Sequence, residues 1–375
     1  MSHSTGDAVA SEQAAPLSWP LVLTTVLSGN DVSAEAAAWA MSNILSGEAT
    51  PAQTAGFVTA LRAKGESPIE VQALVETMLA HAILVPRENL PAVVLDVVGT
   101  GGDSSHSVNI STMAALIACA AGAPIIKHGN RAASSSTGTA DVLEELGVAI
   151  SLAPADVAQC VREVGIGFCF APAHHPALRH AAPARKELGI PTIFNVLGPL
   201  SNPGRAESAL VGCANERLAP VMADVLLRRG VKALVVRGED GLDEISTAST
   251  TRIWDATGTT VVESVFDPTE IGVERVDSAL LVGGARDVNA RLLRLALDPM
   301  SEVADVNRVR AIRSAVVLNA AAALVAYESA IGNVREAPLP QRIAEQLPRA
   351  QQAIDSGAAW SVLQRWATFS SSLSG

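Results

Sequence analysis

The chain is short of basic charge for its 375 residues. Lysine and arginine together number 27, against 38 aspartates and glutamates, and the net charge at neutral pH is -11. Nucleic-acid-binding domains present a basic face, so this balance argues against bulk binding of nucleic acid, while a local basic pocket stays compatible with it. The length allows two domains, or one large domain with an appendage.

Cysteine is also scarce, and no two cysteines have the Cys-x-x-Cys spacing of a redox or zinc motif. All four lie in apolar segments: Cys119, Cys160, Cys169 and Cys213. This pattern predicts buried free thiols in a reducing compartment, so we expect a cytoplasmic protein. His174 and His175 have no cysteine or histidine partner at zinc-ligand spacing, and we expect no zinc site.

An export signal and a membrane-spanning run are both missing from the sequence. Residues 1–15 are small and polar, without a basic start and an apolar middle, and predict a disordered tail. The longest apolar runs, 113–126 and 315–326, fall short of the roughly 20 residues that a membrane span requires. Both runs are rich in alanine and predict buried helices, so we expect no membrane association.

The first part of the chain predicts a small all-helical domain over residues 16–88. Thr50-Pro51-Ala52-Gln53 and Ser67-Pro68-Ile69-Glu70 each combine a capping hydroxyl, a proline at the first helical position, and Gln or Glu three residues after the cap. Ser33 or Asp31 caps a further helix. Apolar residues recur at helical spacing between these signals, and no strand pattern interrupts them.

From about residue 93 the pattern changes to short apolar strands that alternate with helices. The predicted strands are 93–98, 123–126, 167–170, 192–196, 210–213, 233–237 and 260–264. Such alternation predicts a large α/β domain over residues 89–375, with a mostly parallel central sheet and with closing helices over 341–373. Ligands of such sheets bind at the carboxyl ends of the strands, where the most polar loops of this chain lie.

The glycine-rich turn Gly99-Thr100-Gly101-Gly102-Asp103 follows the first strand. It lacks the full spacing of the dinucleotide-binding and P-loop motifs, so a purely structural tight turn is an open alternative. Asn109, Ser111 and Thr112 then precede an alanine-rich helix. One N-cap needs one such residue, and the surplus predicts a pyrophosphate or a metal ion at this helix N-terminus.

Three further segments carry charge at strand or helix ends. Lys127-His128-Gly129-Asn130-Arg131 leaves an apolar strand, and its cations suit phosphate, with a solvated loop as the alternative. Asp243 and Glu244 belong to a loop with four carboxylates, which suits Mg²⁺ or is a solvated acidic loop. Arg185 lies near a predicted helix end and is either a ligand for an anion or a surface arginine.

Taken together, these segments resemble the anthranilate phosphoribosyltransferase family, from about residue 20 to about residue 330. The family motifs, in order and spacing, are Gly99-Thr100-Gly101-Gly102-Asp103, Asn109-Ile110-Ser111-Thr112, Lys127-His128-Gly129-Asn130-Arg131, residues 192–200 and Gly241-Leu242-Asp243-Glu244. Ser107 and Thr139 differ from the residues common in the family, but each keeps the hydroxyl group. The resemblance implies a small helical domain, with a contribution from about residues 175–200, hinged to a large α/β domain.

The resemblance also implies a reaction, in which the phosphoribosyl group of phosphoribosyl pyrophosphate (PRPP) passes to the amine of anthranilate and pyrophosphate is released. Mg²⁺, as two ions, is the implied cofactor, and a homodimer is the implied assembly. Any association with an anthranilate synthase is expected to be non-covalent. No nucleic acid and no membrane is expected as a partner.

Site residues follow from the same resemblance. The PRPP site comprises Gly99, Gly102, Asp103, Ser107, Asn109, Ile110, Ser111, Thr112, Lys127, His128, Gly129, Asn130, Arg131, Ala132, Ala133, Ser134, Ser135 and Thr139. The anthranilate site comprises Gly99, His128, Asn130, His175 and Arg185. The metal ligands are Ser111, Asp243 and Glu244, and the catalytic roles fall to Lys127, Asn130 and Arg185. An aromatic amine is unprotonated at neutral pH, so no strong general base is required.

Three rival functions remain open at this point. A pyrimidine nucleoside phosphorylase shares the implied fold, but its usual Lys-His-Ser-Thr-Gly-Gly stretch is absent, and Val97-Val98 precede Gly99 instead. A non-catalytic nucleic-acid-binding relative would carry basic patches, which the net charge of -11 opposes. A phosphoribosyltransferase for a substituted benzoate would differ in the shape of its substrate channel.

Overall fold

A single seven-stranded sheet forms the centre of the protein in the computed structural model, which describes residues 16–132 and 137–374. The strands are β1 (Leu95–Gly99), β2 (Ile125–Gly129), β3 (Ile166–Phe170), β4 (Ser208–Gly212), β5 (Lys232–Gly238), β6 (Thr251–Asp255) and β7 (Val262–Phe266). Their order is β3-β2-β1-β4-β5-β6-β7. The pairs from β3 to β5 are parallel, and β6 and β7 extend the sheet in antiparallel fashion. The prediction of an α/β fold with a mostly parallel sheet is confirmed.

Four helices precede the sheet, as the sequence predicts. They are α1 (Trp19–Leu27), α2 (Ala34–Ser46), α3 (Pro51–Lys64) and α4 (Pro68–Ala80). Thr50 and Ser67 both form full capping boxes, in which the hydroxyl accepts from a backbone N–H and the Gln or Glu side chain accepts from the backbone of the cap. Ser33, rather than Asp31, caps α2 by accepting from the N–H of Ala36. Proline at the first helical position of α3 and α4 costs no hydrogen bond, because that N–H has no partner in the helix.

The remaining helices lie between and after the strands. They are α5 (Ile110–Ala120), α6 (Thr139–Glu145), α7 (Pro154–Val164), α8 (Ala171–His174), α9 (Ala182–Leu188), α10 (Phe194–Leu200), α11 (Ala219–Arg228), α12 (Arg286–Leu297), α13 (Val306–Ala330), α14 (Leu339–Asp355) and α15 (Ala358–Leu373). Short 3₁₀ turns cover Arg87–Asn89, Pro176–His180, Pro268–Ile271 and Ser278–Leu281. The last two helices confirm the closing helices expected over 341–373.

Hydrophobic cores lie on both faces of the sheet because side chains alternate along each strand. Val97 and Leu234 enter a core formed with α5, α7, α13 and α15. Their neighbours Val98 and Val235 enter a second core, which includes α1 to α4, α10 and α11. The N-terminal helices therefore pack on the same side of the sheet as α10 and α11.

One predicted strand is wrong, and one observed strand was not predicted. The predicted strand 192–196 is wrong, since this segment turns into α10, and the N–H of Thr192 donates to Oδ1 of Asn195 across that turn (3.0 Å). Its apolar residues Ile193 and Val196 face the second core, and burial on a short helix produces the same apolar pattern as a strand. Strand β6 was not predicted, because the charged residues Arg252 and Asp255 interrupt its apolar pattern, although it pairs with strands on both sides.

Within the described ranges, α13 is long and apolar enough to cross a membrane, with a mean hydropathy of 1.6 over its most apolar stretch. It extends well beyond the run 315–326 from which a shorter helix was expected. Of that stretch, 83% is buried inside the protein, where α13 packs against α5, α14 and the sheet. Its composition is therefore that of a helix in the hydrophobic core.

Candidate active site

Glycine ends four neighbouring strands on the side of the sheet where the polar loops begin. Gly99, Gly129, Gly212 and Gly238 are the last residues of β1, β2, β4 and β5. A Cβ atom on Gly212 would stand 1.6 Å from the carbonyl oxygen of Asp243, and one on Gly99 would stand 2.4 Å from Oδ2 of the same residue. Glycine at these positions therefore lets the loop after β5 pack directly on the ends of β1 and β4.

The acidic loop after β5 is exposed at Glu239 and Asp240 but buried at Asp243 and Glu244, which contradicts the alternative of a solvated loop for the last two residues. Asp243 is 9% exposed and Glu244 is 7% exposed. The N–H of Gly101 donates to Oδ2 of Asp243 (2.7 Å), so the loop is tied to the glycine-rich turn. On the other side, Asn319 of α13 bonds both the N–H and the carbonyl of Ile245 (3.0 Å each).

Carboxylates outnumber cations in this loop and its surroundings. Burial, together with a smaller effect of the nearby Asp103, raises the pKa of Asp243 to about 7. Burial and Asp243 together hold the pKa of Glu244 well above its usual range, against the opposing effect of Lys127. Buried carboxylates with raised pKa values have too little positive charge around them, which is what a bound cation supplies.

The metal ligands predicted from the sequence are only partly preassembled. In residues 16–132 and 137–374, no group of three or more His, Cys, Asp or Glu side chains is arranged to hold a metal ion. Ser111 lies beside Glu244, whose carboxylate its backbone hydrogen-bonds. Mg²⁺ commonly takes one or two carboxylates and completes its shell with water and substrate phosphate. Ser111, Asp243 and Glu244 fit such an incomplete shell.

The polar residues before α5 do not serve as caps, although Asn109 occupies the N-cap position. Asn109 donates instead to the carbonyl of Thr137 (3.2 Å) and accepts from Asn289 of α12 (3.0 Å). Thr112 pairs with Thr139 at the start of α6 (3.4 Å). The contact between Thr112 and Thr139 brings the first turns of α5 and α6 together, and the simple capping alternative is wrong.

Lys127 is fully buried near the end of β2. Its Nζ donates to the carbonyl of Val97 in β1 and to Oγ of Ser111 at the start of α5 (3.3 Å). Burial lowers the pKa of Lys127, while the carboxylates of Asp96 and Glu244 oppose that effect. The alternative of a solvated loop is therefore wrong at Lys127, which joins β1, α5 and the acidic loop.

His128 faces the opposite side of the sheet and stacks near His175, with 5.2 Å between the ring centroids. Its Nδ1 lies 2.8 Å from the carbonyl of Gly198, and a carbonyl only accepts, so Nδ1 carries the proton. Nε2 is then an acceptor, and it is buried without a partner among the described residues. Burial lowers the pKa of His128 to about 3, so the ring is neutral and aims a lone pair into the space beside α10.

The residues after His128 that were assigned to phosphate binding differ in their environments. Asn130 is exposed. Arg131, which was assigned to phosphate, forms ion pairs with carboxylates of α6, with Asp141 at 3.0 Å and Glu144 at 2.6 Å. The backbone N–H of Ala132 also binds Asp141 (3.1 Å). Ala133, Ser134 and Ser135 lie outside the described residues.

Arg185 lies on α9 and is half-buried beside α10. Its guanidinium carbon stands 5.4 Å from the ring centroid of Phe194, a cation–π contact. In the described parts of the chain, no carboxylate forms an ion pair with Arg185 by a nitrogen–oxygen distance within 4.0 Å. Burial lowers the pKa of Arg185, yet an arginine stays charged, so this cation is oriented but not neutralised.

Several residues of the site carry no clear sequence signal. Gly212 ends an apolar strand without a motif, and its carbonyl accepts from the N–H of Thr100 in the glycine-rich turn (2.9 Å). Asp96 and Asn202 are buried polar residues, 2% and 7% exposed, that bond to each other. Phe194 lies within the motif 192–200, but only the fold places it against Arg185. A carboxylate within an apolar run, as at Asp96, is the one signal that sequence analysis could have used.

A cavity of about 640 Å³ lies away from these residues, between α13, α14 and residues 272–274. None of the residues predicted from the sequence lines it. Most of the predicted residues instead lie in the loops and helix starts that follow the carboxyl ends of β1, β2 and β5, the position expected for ligand sites in parallel sheets.

Helices packed on a mostly parallel sheet, with glycine-rich, basic and acidic loops at its carboxyl edge, agree with the glycosyl transferase class that two family models assign to this chain. The chain matches the glycosyl transferase family, helical bundle domain, over residues 20–82, and the glycosyl transferase family, a/b domain, over residues 91–360. Within that class, the chain belongs to the anthranilate phosphoribosyltransferase family. It is 51% identical to the Saccharopolyspora erythraea enzyme, with 93% of this chain and 95% of the relative covered.

Other relatives and solved structures agree. The anthranilate phosphoribosyltransferase of Salinispora arenicola is 52% identical, over 93% of this chain and 95% of the relative. The crystal structure of the Thermus thermophilus enzyme superposes with a TM-score of 0.82 at 35% identity, covering 93% of this chain and 99% of that one. A Saccharomyces cerevisiae structure in complex with PRPP and Mg has a TM-score of 0.81 at 28% identity, covering 95% and 98%.

Proposed function

We propose that this protein transfers the 5-phosphoribosyl group of PRPP to the amine of anthranilate, releasing pyrophosphate, in tryptophan biosynthesis. The observation that carries the proposal is the meeting of Lys127, the N-terminus of α5 and the buried acidic loop at Asp243 and Glu244. This combination suits a pyrophosphate that arrives with divalent metal. The yeast relatives in complex with PRPP and Mg, and with 4-fluoroanthranilate, support the assignment.

PRPP lies along the carboxyl ends of β1 and β2 in this proposal. The glycine-rich turn and Asp103 face its ribose, and the start of α5 faces its pyrophosphate. The residues assigned to it are Gly99, Gly102, Asp103, Ser107, Asn109, Ile110, Ser111, Thr112, Lys127, His128, Gly129, Asn130, Arg131, Ala132, Ala133, Ser134, Ser135 and Thr139. Arg131 contributes only after it leaves Asp141 and Glu144, so its role depends on movement of α6 or of its own side chain.

Mg²⁺, as two ions, would be held by Ser111, Asp243 and Glu244 together with the pyrophosphate. When bound, the metal supplies positive charge that stabilises the leaving group. The raised pKa values of both carboxylates support this assignment, because a cation would return them to the ionised state.

Anthranilate lies near α10 in this proposal, between residues of two neighbouring elements. Arg185 binds its carboxylate, because an unpaired guanidinium matches a carboxylate in two hydrogen bonds. The bare Nε2 of His128 accepts a hydrogen bond from its amine, which an imidazolium could not do. His175 flanks the ring. Asn130 and Gly99 border the site from the strand ends.

The chemistry is a displacement at C1 of the ribose with oxocarbenium-like character. The C1–oxygen bond to pyrophosphate breaks, the C1–nitrogen bond forms, and the amine releases one proton. Lys127 and the N–H groups of α5 stabilise the negative charge that develops on the leaving group. Arg185 and Asn130 orient the amine towards C1, and positioning lowers the barrier without a strong base. Hinge closure between the helical and α/β parts would exclude water.

Loss of anthranilate fluorescence tests the proposal. Enzyme, anthranilate, PRPP and Mg²⁺ together are expected to give a time-dependent loss, and omission of PRPP or addition of EDTA is expected to abolish it. Persistent fluorescence with a folded enzyme would refute the assignment. Thymidine with phosphate, and a substituted benzoate with PRPP, are the two substrate controls for the rival reactions, and a gel shift tests nucleic-acid binding.

We also propose a cytoplasmic homodimer with the division 16–88 and 89–375, in which residues 175–200 contribute to the helical part. Four free cysteines support a reducing compartment. Leu27 of α1 is 75% exposed and Ile69 of α4 is 51% exposed, so the helical part offers apolar surface to a second copy. Light scattering is expected to give about twice the chain mass of 38.6 kDa, and a monomer would refute the dimer.

A further inference from the structure

Backbone pairing between β1 and β2 is incomplete next to the proposed site. β1 pairs with β4 at five successive positions, and β2 pairs with β3 at five positions. Between β1 and β2, in contrast, the register contains one pair, Leu95 with Ile125. Regular backbone pairing between these two neighbouring strands therefore ends before their carboxyl ends, where Lys127 and His128 lie.

Side chains replace the missing backbone pairing. Asp96 follows Leu95 in β1, and its Oδ1 accepts from the backbone N–H of His128 (3.2 Å). Its Oδ2 accepts from Nδ2 of Asn202 (2.7 Å), and the same Nδ2 donates to the carbonyl of Ile126 (2.7 Å). Asn202 is fixed in turn, because its Oδ1 accepts from the N–H of Gly204 (2.8 Å). A carboxylate and an amide thus span the gap between the two strands.

Asp96 also acts on the charge of Lys127. Of the two carboxylates that oppose the effect of burial on Lys127, Asp96 has the larger influence and Glu244 the smaller. Asp96 therefore provides a buried lysine with a counter-charge that does not take part in binding metal. The nearby carbonyl of Val97 and hydroxyl of Ser111 hold the ammonium group in place.

We propose that Asp96, anchored by Asn202, is a positioning residue for the transfer reaction: it sets the end of β2 so that Lys127 and His128 meet the two substrates. The inference rests on the proposed function. The carboxylate of Asp96 both fixes the backbone of His128 and balances the charge of Lys127. Neither Asp96 nor Asn202 touches a substrate in this arrangement.

A double-mutant cycle between Asp96 and Lys127 tests the inference. Asp96→Asn is nearly isosteric, but it removes the charge and cannot accept from both His128 and Asn202. Because a misplacement of about 1 Å can cost about 100-fold, Asp96→Asn is expected to lower kcat/KM for PRPP by about that factor in the wild-type background. In a Lys127→Ala background the same change is expected to cost less than about fivefold, since residues that act through one another are not additive.

Glu70→Gln is the matched control. Glu70 is a buried carboxylate in α4 that also binds a lysine, Lys64, and accepts backbone N–H groups, but it lies in the helical part. It is expected to lower the melting temperature while kcat/KM changes less than about twofold. Asn202→Ser, which keeps the carboxylate and removes the amide, is the second variant, and it is expected to be non-additive with Asp96→Asn.

The outcomes are distinguishable. Absence of turnover by the wild-type enzyme would refute the proposed function itself. Normal turnover by the wild type, with additive losses for Asp96→Asn and Lys127→Ala, would overturn the positioning role and leave Asp96 as a structural residue. A fall in melting temperature without a change in kcat/KM, as expected for Glu70→Gln, would overturn it equally. If Asp96→Asn does not fold, the Asn202→Ser and Lys127→Ala cycle gives the same decision.

Discussion

Substitution of Gly212 by alanine is the sharpest test of how the site is assembled. Gly212 carries no functional group, yet it lies where β4 meets the acidic loop and the glycine-rich turn. A Cβ atom there would stand 1.6 Å from the carbonyl oxygen of Asp243 and 2.5 Å from its carbonyl carbon. Both are backbone atoms, so no rotation of a side chain relieves the clash.

The size of the effect follows from these distances. Ordinary contacts of a Cβ atom begin near 3.4 Å, so the backbone of Asp243 must move by about 2 Å relative to β4. Overpacking of this kind costs about 1–3 kcal/mol in stability. Since a misplacement of 1 Å can cost about 100-fold in rate, kcat/KM for PRPP is expected to fall by at least about 100-fold. The Mg²⁺ concentration for half-maximal rate is expected to rise, because Asp243 and Glu244 move together.

Initial rates from anthranilate fluorescence, over a series of PRPP and Mg²⁺ concentrations, measure both effects. Gly258→Ala is the matched control, since a Cβ atom on this exposed glycine meets nothing closer than 3.8 Å. It is expected to leave kcat/KM within about twofold of wild type. Wild-type kinetics and an unchanged Mg²⁺ dependence in Gly212→Ala would refute the reasoning that the acidic loop is held by its approach to β4.

Three further predictions concern the proposed anthranilate site, at Arg185, Phe194 and His175. Arg185→Lys is expected to raise KM for anthranilate by about 10-fold or more with KM for PRPP unchanged, because an ammonium cannot form the paired hydrogen bonds of a guanidinium; equal effects on both substrates in steady-state kinetics would contradict this. Phe194→Leu removes the ring beneath Arg185 and is expected to raise KM for anthranilate by about 2- to 5-fold, the scale of a contact worth about 0.5–1 kcal/mol; no change in that KM would show that the stacking does not orient Arg185. His175→Gln is expected to make the stability of the fold less sensitive to acid. Burial lowers the pKa of His175 from 6.5 to about 4, so the unfolded chain binds more protons than the folded chain between these two pH values. His175 therefore lowers the free energy of unfolding as the pH falls from 6.5 to about 4. Denaturant unfolding at pH 7 and pH 5 is expected to show about 2 kcal/mol less loss in the variant than in wild type, and an equal loss in both proteins would refute it.

Local signals explain why the helical part was predictable. The capping boxes at Thr50 and Ser67 depend on four consecutive residues each, so sequence spacing was sufficient for them. The polar loops after β1, β2 and β5 were likewise visible, because each interrupts an apolar strand. The choice between functional and ordinary interpretations was not visible in the same way. Burial excludes a solvated loop at Lys127, Asp243 and Glu244, and burial is a property of the whole fold.

The wrong strand prediction and the unforeseen partners of Arg131 have a common physical reason. The segment 192–196 was predicted as a strand, since a short apolar run is compatible with a strand or with a buried helix, and packing decides between them. The assignment of Arg131 to phosphate stays a prediction, but its present partners, Asp141 and Glu144, lie 10 and 13 residues further along the chain and were not foreseen from its place in a basic loop. Sequence patterns report neighbours along the chain, and these two cases were decided by neighbours in space.

By itself, the sequence determined the kinds of residue available at the strand ends: glycines that allow close approach, cations, and carboxylates. The spacing of those residues also determined the family. The tertiary structure alone decided that the backbone pairing of β1 and β2 is incomplete and that Asp96 and Asn202 connect these two strands. It also decided that the acidic loop packs against Gly212. Each of these features joins residues more than 30 positions apart, where local backbone preferences have no influence and only the packing of the sheet brings the groups together.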